Sequence, residues 1–154
     1  MSAGDADWTL RPAREGDAAA LSELLTAAGV AAWGGFLGVE RVRSATSGRV
    51  HPADVVAERA GTVVGFVAWD GETGEVKRLF VLPDAWGSGI GTALLDRAVA
   101  ALRAAGLTQA WLNTEERSAA IDFYESRGWR REGEPRIRDW HGTPLEEPRF
   151  VLDL

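Results

Sequence analysis

Cysteine is absent from all 154 residues, which removes disulfides, thiolate metal sites and any acyl relay through a cysteine nucleophile. Histidine occurs twice, as His51 before Pro52 and as His141 in a Trp-His-Gly-Thr-Pro turn. The two stand far apart without a ligand-spaced partner, so each reads as a loop residue and no metal site is expected. No uninterrupted run of 18 apolar residues occurs, and the opening Met1-Ser2-Ala3-Gly4-Asp5-Ala6-Asp7 lacks the basic and apolar regions of a signal peptide. A cytoplasmic chain with no membrane partner is the expectation. Positive charge is also in short supply: the formal net charge is −6, which disfavours nucleic acid as a partner and suits a cationic amine. Tyrosine and lysine occur once each, at Tyr124 and Lys77.

What is present is ordinary for one globular domain, with 45% hydrophobic and 26% charged residues. Residues 1–8 read as a flexible N-terminus and 9–154 as a single domain. Trp8 to Arg11 reads as a strand, and Asp17 as the cap of a helix whose Ala20, Leu21, Leu24, Leu25 and Ala28 share a face and which stops at Gly29. Residues 30–49 show no clean period and read as a short helix plus loop. Asp54 to Arg59 and Thr62 to Trp69 form a hairpin about Ala60-Gly61, and Glu75 to Leu82 a further strand. A helix runs from Gly89 to about Ala105, and the strand after it, from Thr108, pairs in parallel with Glu75 to Leu82. A helix over Ser118 to Arg127 precedes a short strand at Trp129 to Glu132. Ile137 to Trp140 and Arg149 to Leu154 read as a closing hairpin around residues 141–144.

The most informative stretch is Leu79-Phe80-Val81-Leu82-Pro83-Asp84-Ala85-Trp86-Gly87-Ser88-Gly89-Ile90-Gly91-Thr92, which passes from an apolar strand through a glycine loop into a helix. Pro83 ends the strand, and Gly87, Gly89 and Gly91 remove the side chains that would hold an anion away from the amides. The first helical turn adds unpaired N–H groups and the positive end of the dipole. A triphosphate loop is excluded because Gly91 is followed by Thr92-Ala93 where a Lys and a Ser or Thr would be needed. A dinucleotide fingerprint is excluded by glycine spacing and by the missing acidic residue after the next strand.

This loop resembles the coenzyme A site of the GNAT superfamily of N-acetyltransferases, whose pattern is Gln or Arg, two residues, Gly, one residue, Gly or Ala. Gly89 and Gly91 fill the glycine places, and Trp86 stands where Gln or Arg is usual. Some thirty residues on, Arg117-Ser118-Ala119-Ala120-Ile121-Asp122-Phe123-Tyr124-Glu125-Ser126-Arg127-Gly128-Trp129 is similar to the family's Asn-x-x-Ala-x-x-Phe-Tyr-Glu-x-x-Gly-Phe segment. The resemblance implies an α/β (α+β) fold, a mixed, mostly antiparallel sheet with a central parallel strand pair flanked by helices. It implies acetyl-CoA as cofactor, with Leu79, Phe80, Val81, Trp86, Gly87, Ser88, Gly89, Ile90, Gly91, Thr92 and Arg117 at the cofactor. An N–H at Phe80 or Val81 is expected to meet the thioester carbonyl.

Tyr124 falls on the family's catalytic tyrosine and is read as general acid. Glu75 takes the position of the carboxylate base of one branch, acting through water. Trp33 and Phe36 are candidate walls of the acceptor pocket, with Glu115 and Glu116 placed to receive a cationic group. The implied activity is transfer of acetyl to a small-molecule or peptide primary amine by direct attack. A non-catalytic acyl-CoA-binding sensor is the alternative, and a homodimer is compatible with the chain.

Overall fold

A computed structural model describes residues 7–49 and 51–154; the reading of residues 1–6 as flexible falls outside them. The sheet opens with β1 (Trp8–Pro12), β2 (Val55–Arg59), β3 (Thr62–Trp69) and β4 (Val76–Val81), paired in that order and all antiparallel. β2 and β3 are rich in Val, whose branched side chains suit a pleated surface buried on both faces. Ala60 and Gly61, with φ of 51° and 79°, make the tight turn expected between β2 and β3.

The first helix departs from expectation. α1 (Ala18–Leu37) runs through Gly29 and ends at Gly38, whose φ is 92°, and α2 (Val39–Thr46) follows directly. Gly29 serves contact instead of termination: a Cβ there would stand 3.3 Å from both Trp33 and Val42, so its bareness lets α2 approach α1. With the preceding 3-10 turn, the stretch from Glu15 to Leu37 is long and apolar enough to cross a membrane by length and composition. Ser22, Glu23 and Thr26 interrupt that stretch in sequence. Leu21, Leu24 and Ala28 pack this helix on Val56, Val63 and Phe66 of the sheet, so its apolar face is covered within the fold.

The opposite face of the sheet carries α3 (Ile90–Ala104), seated closely because Gly65 of β3 lies beneath it; an added Cβ would meet Leu94 at 3.1 Å and Ile90 at 3.3 Å. β5 (Gln109–Asn113) and α4 (Ala120–Ser126) come next, then the two-residue β6 (Arg130–Arg131). The closing hairpin differs from the expected one. β7 (Arg136–Trp140) pairs with β8 (Thr143–Glu147), while β9 (Arg149–Asp153) inserts between β5 and β6. Pro144 lies inside β8 because that two-stranded ribbon is all edge, where a missing N–H breaks no ladder. The main core, holding Ile90, Leu94, Leu112, Tyr124 and Phe150, fills the space between the strands and α3 with α4.

Candidate active site

The parallel pair expected at the centre of the sheet is made by β4 and β5, and it is brief. Glu75 and Trp111 form a single parallel bridge, where the Trp111 N–H donates to the Gly74 carbonyl at 3.0 Å. Immediately afterwards the β3–β4 register shifts, Trp69 facing Val76 but Ala68 facing Arg78, so Lys77 is an extra residue in β4. Such a bulge bends its strand and ends pairing. Among the described residues β4 has no further bridge to β5, and the two strands enclose a wedge.

The polarity of that wedge follows from alternation along β4. The Leu82 N–H donates to Val64 of β3 at 2.9 Å, and Phe80 faces Phe66 in the same register. In an antiparallel ladder, Phe80 therefore turns its main-chain groups toward β3, and Leu79 and Val81 turn theirs into the wedge. Of the expected N–H donors, Val81 faces the wedge and Phe80 does not. The Phe80 side chain instead packs between Phe66 and Trp33, with ring centroids 5.7 Å from each. The Val81 carbonyl accepts a hydrogen bond from the Trp86 indole N–H at 2.8 Å, so the aromatic residue at the place usual for Gln or Arg supplies a polar contact of its own.

Beyond Pro83 the loop is braced through its oxygens. Trp8 Nε1 donates to the Ser88 carbonyl at 3.2 Å, the Ser88 hydroxyl donates to the Ala85 carbonyl, and the Ala93 N–H donates to Gly89 at 3.0 Å. By contrast, no main-chain N–H from 87 to 92 donates to a protein acceptor among the described residues. Gly87 and Gly89 adopt φ of 78° and 88°, conformations other residues reach only with strain, and left-handed Gly89 before helical Ile90 makes an N–H nest. No acidic side chain occupies the first turn of α3. Gly91 lies beneath Phe123, whose ring would stand 3.5 Å from an added Cβ.

Sequence reasoning missed the cation at this cradle. The Arg127 Nε–H donates to the Thr92 hydroxyl at 2.9 Å, and its guanidinium stacks on Phe123 at 4.2 Å. The spacing of Phe123 and Arg127, four residues apart on one helix, was the available signal; the contact with Thr92, 35 residues away, leaves no local trace.

Tyr124 is 7% exposed and packs edge-on against Phe123 and Trp129, at 5.3 and 5.9 Å between centroids. Its hydroxyl has no hydrogen-bond partner among the described residues, yet it is not among the fully enclosed unpaired atoms. Burial raises the phenol above its usual pKa. Glu75 is half-buried at the closed end of the wedge, about 20 Å along the strand from Val81.

The acceptor-side residues are brought together differently from expectation. Arg117 lies 4.1 Å over the Phe36 ring, and its Nη2 is 2.6 Å from Glu115 Oε1. Glu115 is 5% exposed and also accepts the Arg117 main-chain N–H. Glu116 is paired with Arg131 at 3.0 Å. Both carboxylates expected to receive a cationic group are thus already paired: Glu115 because an anion buried this far needs its own partner, and Glu116 through an exposed surface pair. Trp33 does reach the face shared with Phe80. Among the described residues no group of His, Asp and Glu could hold a metal ion.

Residues 51–131 match the model of the acetyltransferase (GNAT) domain family, over half of the chain. An IAA acetyltransferase from Azospirillum brasilense is 45% identical over 80 residues, which is 49% of this chain and 52% of that protein. The chain spans about half that relative's length and less of the other curated relatives it matches. Among solved structures, a GCN5-related N-acetyltransferase from Rhodopseudomonas palustris shares the fold with a TM-score of 0.77 at 23% identity, covering 95% of each chain. An acetyltransferase structure from Salmonella typhimurium, solved with its cofactor acetyl-CoA, has a TM-score of 0.68 at 22% identity and covers 96% of this chain and 94% of that one.

Proposed function

The chain belongs to the GNAT acetyltransferase family, and on that premise we propose that it moves an acetyl group from acetyl-CoA to a primary amine by direct attack. The observation that carries this reading is the set of unengaged N–H groups from 87 to 92, set beside a wedge between β4 and β5. Amides in this arrangement fit a diphosphate without needing a cationic side chain at each oxygen. Arg127, fixed on Thr92, adds one positive charge at the rim. When bound, the cofactor supplies an acetyl group activated as a thioester.

The remaining work falls to this chain's own groups. The wedge-facing N–H groups of Leu79 and Val81 are the donors for a developing oxyanion, worth most where water is excluded. Tyr124, held protonated by burial, carries the proton that the departing sulfur needs. An alkyl amine with a reference pKa near 10.4 is almost wholly protonated at neutral pH and must first lose a proton. Glu75 accepts it through a chain of waters, since it stands about 13 Å along the bulged strand from Leu79, beyond direct contact.

A thiol-release assay with an amine panel tests the reading, and a protein without cysteine contributes no background. Amine-dependent release is expected, with Tyr124→Phe lowering kcat by roughly 10²- to 10⁴-fold at unchanged cofactor affinity by calorimetry. Unchanged turnover in that variant would remove Tyr124 from the mechanism. Cofactor binding without release for any amine would favour the sensor instead.

A further inference from the structure

Arg78 belongs to neither the cradle nor the core. Its register partner in β3 is Ala68, two places from the Phe80–Phe66 pair in an unbroken stretch, so Arg78 and Phe80 share a face of β4. That face carries Trp33 of α1, 5.7 Å from Phe80. Arg78 is half-buried, yet among the described residues it has no carboxylate within 4.0 Å and no hydrogen-bond partner. Its nitrogen atoms are not among the enclosed unpaired ones, so the guanidinium reaches solvent.

The surroundings add positive charge, and no carboxylate of the described residues stands within ion-pair distance of Arg78. His51 is pushed below its ordinary pKa, first by burial and then by Arg78 and Arg49, which places both arginines near it. Glu75, across the bulge from Arg78, forms no ion pair with it, and Glu115 and Glu116 are taken by Arg117 and Arg131. What sets Arg78 apart from the other arginines without an ion pair is its place, half-buried on the sheet face that carries Phe80 and Trp33. Partial burial of a cation costs free energy unless an anion meets it.

We propose that Arg78 anchors a carboxylate on the acceptor, so that the substrates are small amines of the amino-acid type and not polycations or protein lysines. Arg78 lies about 10 Å along β4 from Val81, three residues at about 3.3 Å each, which places amine and anion within one small molecule. The planar guanidinium suits a carboxylate through two parallel hydrogen bonds. This inference rests on the transferase reading for its chemistry, but binding tests it separately.

The experiment compares free L-amino acids with their methyl esters, in wild type, Arg78→Gln and Arg78→Lys, by thiol release and by calorimetry on the coenzyme A-loaded protein. At least one free acid is expected to show a KM and Kd about 10- to 100-fold lower than its ester. Arg78→Gln should erase that gap while leaving coenzyme A affinity and the ester's kcat within about threefold, and Arg78→Lys should restore part of it. Failure of thiol release with every amine, alongside Arg78-dependent binding of an acid, would defeat the transferase reading and sustain the anchor. Equal binding of all acids and their esters by wild type, or an acid preference that survives in Arg78→Gln, would overturn it.

Discussion

Asp17 stands at the N-cap of α1 as the sequence leads one to expect, but its carboxylate makes no bond to that helix and joins two arginines. Its carboxylate accepts from Arg11 at 2.8 and 2.9 Å and from the Arg14 N–H at 2.9 Å, while Arg11 also bridges to Glu58 at 2.7 Å. These bonds, Arg11's first, outweigh burial and hold the Asp17 pKa at about 2. A folded pKa below the unfolded value of about 3.9 means that the stabilisation is complete above about pH 4 and is lost as pH falls toward 2. The shift is worth roughly 2 kcal/mol. The urea-midpoint gap between wild type and Asp17→Asn should therefore be widest at pH 5 and shrink to about a third of that at pH 2.5; a gap that does not change with pH would contradict this account. At this scale the glycine loop and Tyr124 were legible because residue type alone carries their chemistry. The pairing of Glu115 with Arg117 was not, since two acids and an arginine in a loop have no periodicity to show which are buried.

Among the elements, the junction of β4 and β5 determines whether a wedge exists. Gly74 holds it closed at one end: its φ is 85°, and a Cβ there would stand 2.6 Å from the Gln109 carbonyl oxygen, a backbone atom that cannot swing aside. Gly74→Ala should cost about 2 to 4 kcal/mol, combining left-handed strain with that clash, measured by urea unfolding against wild type. A midpoint within error of wild type would show that the junction yields easily. The hairpin of β2 and β3 and helix α3 were readable because alternation, a tight turn and a 3.6-residue period are local. A glycine after an apolar run signals a helix end, whereas Gly29 lies inside α1 and answers to Trp33 and Val42 across a helix contact. Likewise β9 was assigned to the wrong neighbour: its alternation identifies a strand, but its place between β5 and β6 is long-range information.

Across the whole molecule, an acidic chain presents uncharged donors at one end of its cleft. A net charge of −6 would repel an anionic cofactor at long range, an effect that salt screens within about 8 Å at physiological ionic strength, whereas the N–H groups from 87 to 92 act at contact. The bulge at Lys77, the bridge at Glu75 and the close seating of α3 over Gly65 all serve to bring those donors to the mouth of the wedge. Titrating the nitrogen-15-labelled protein with coenzyme A while following each backbone amide tests this most directly. The amides of residues 87–92 are expected to shift together and saturate at one affinity, with Leu79 and Val81 moving in step. Saturable binding that leaves all six cradle amides unmoved would contradict the account.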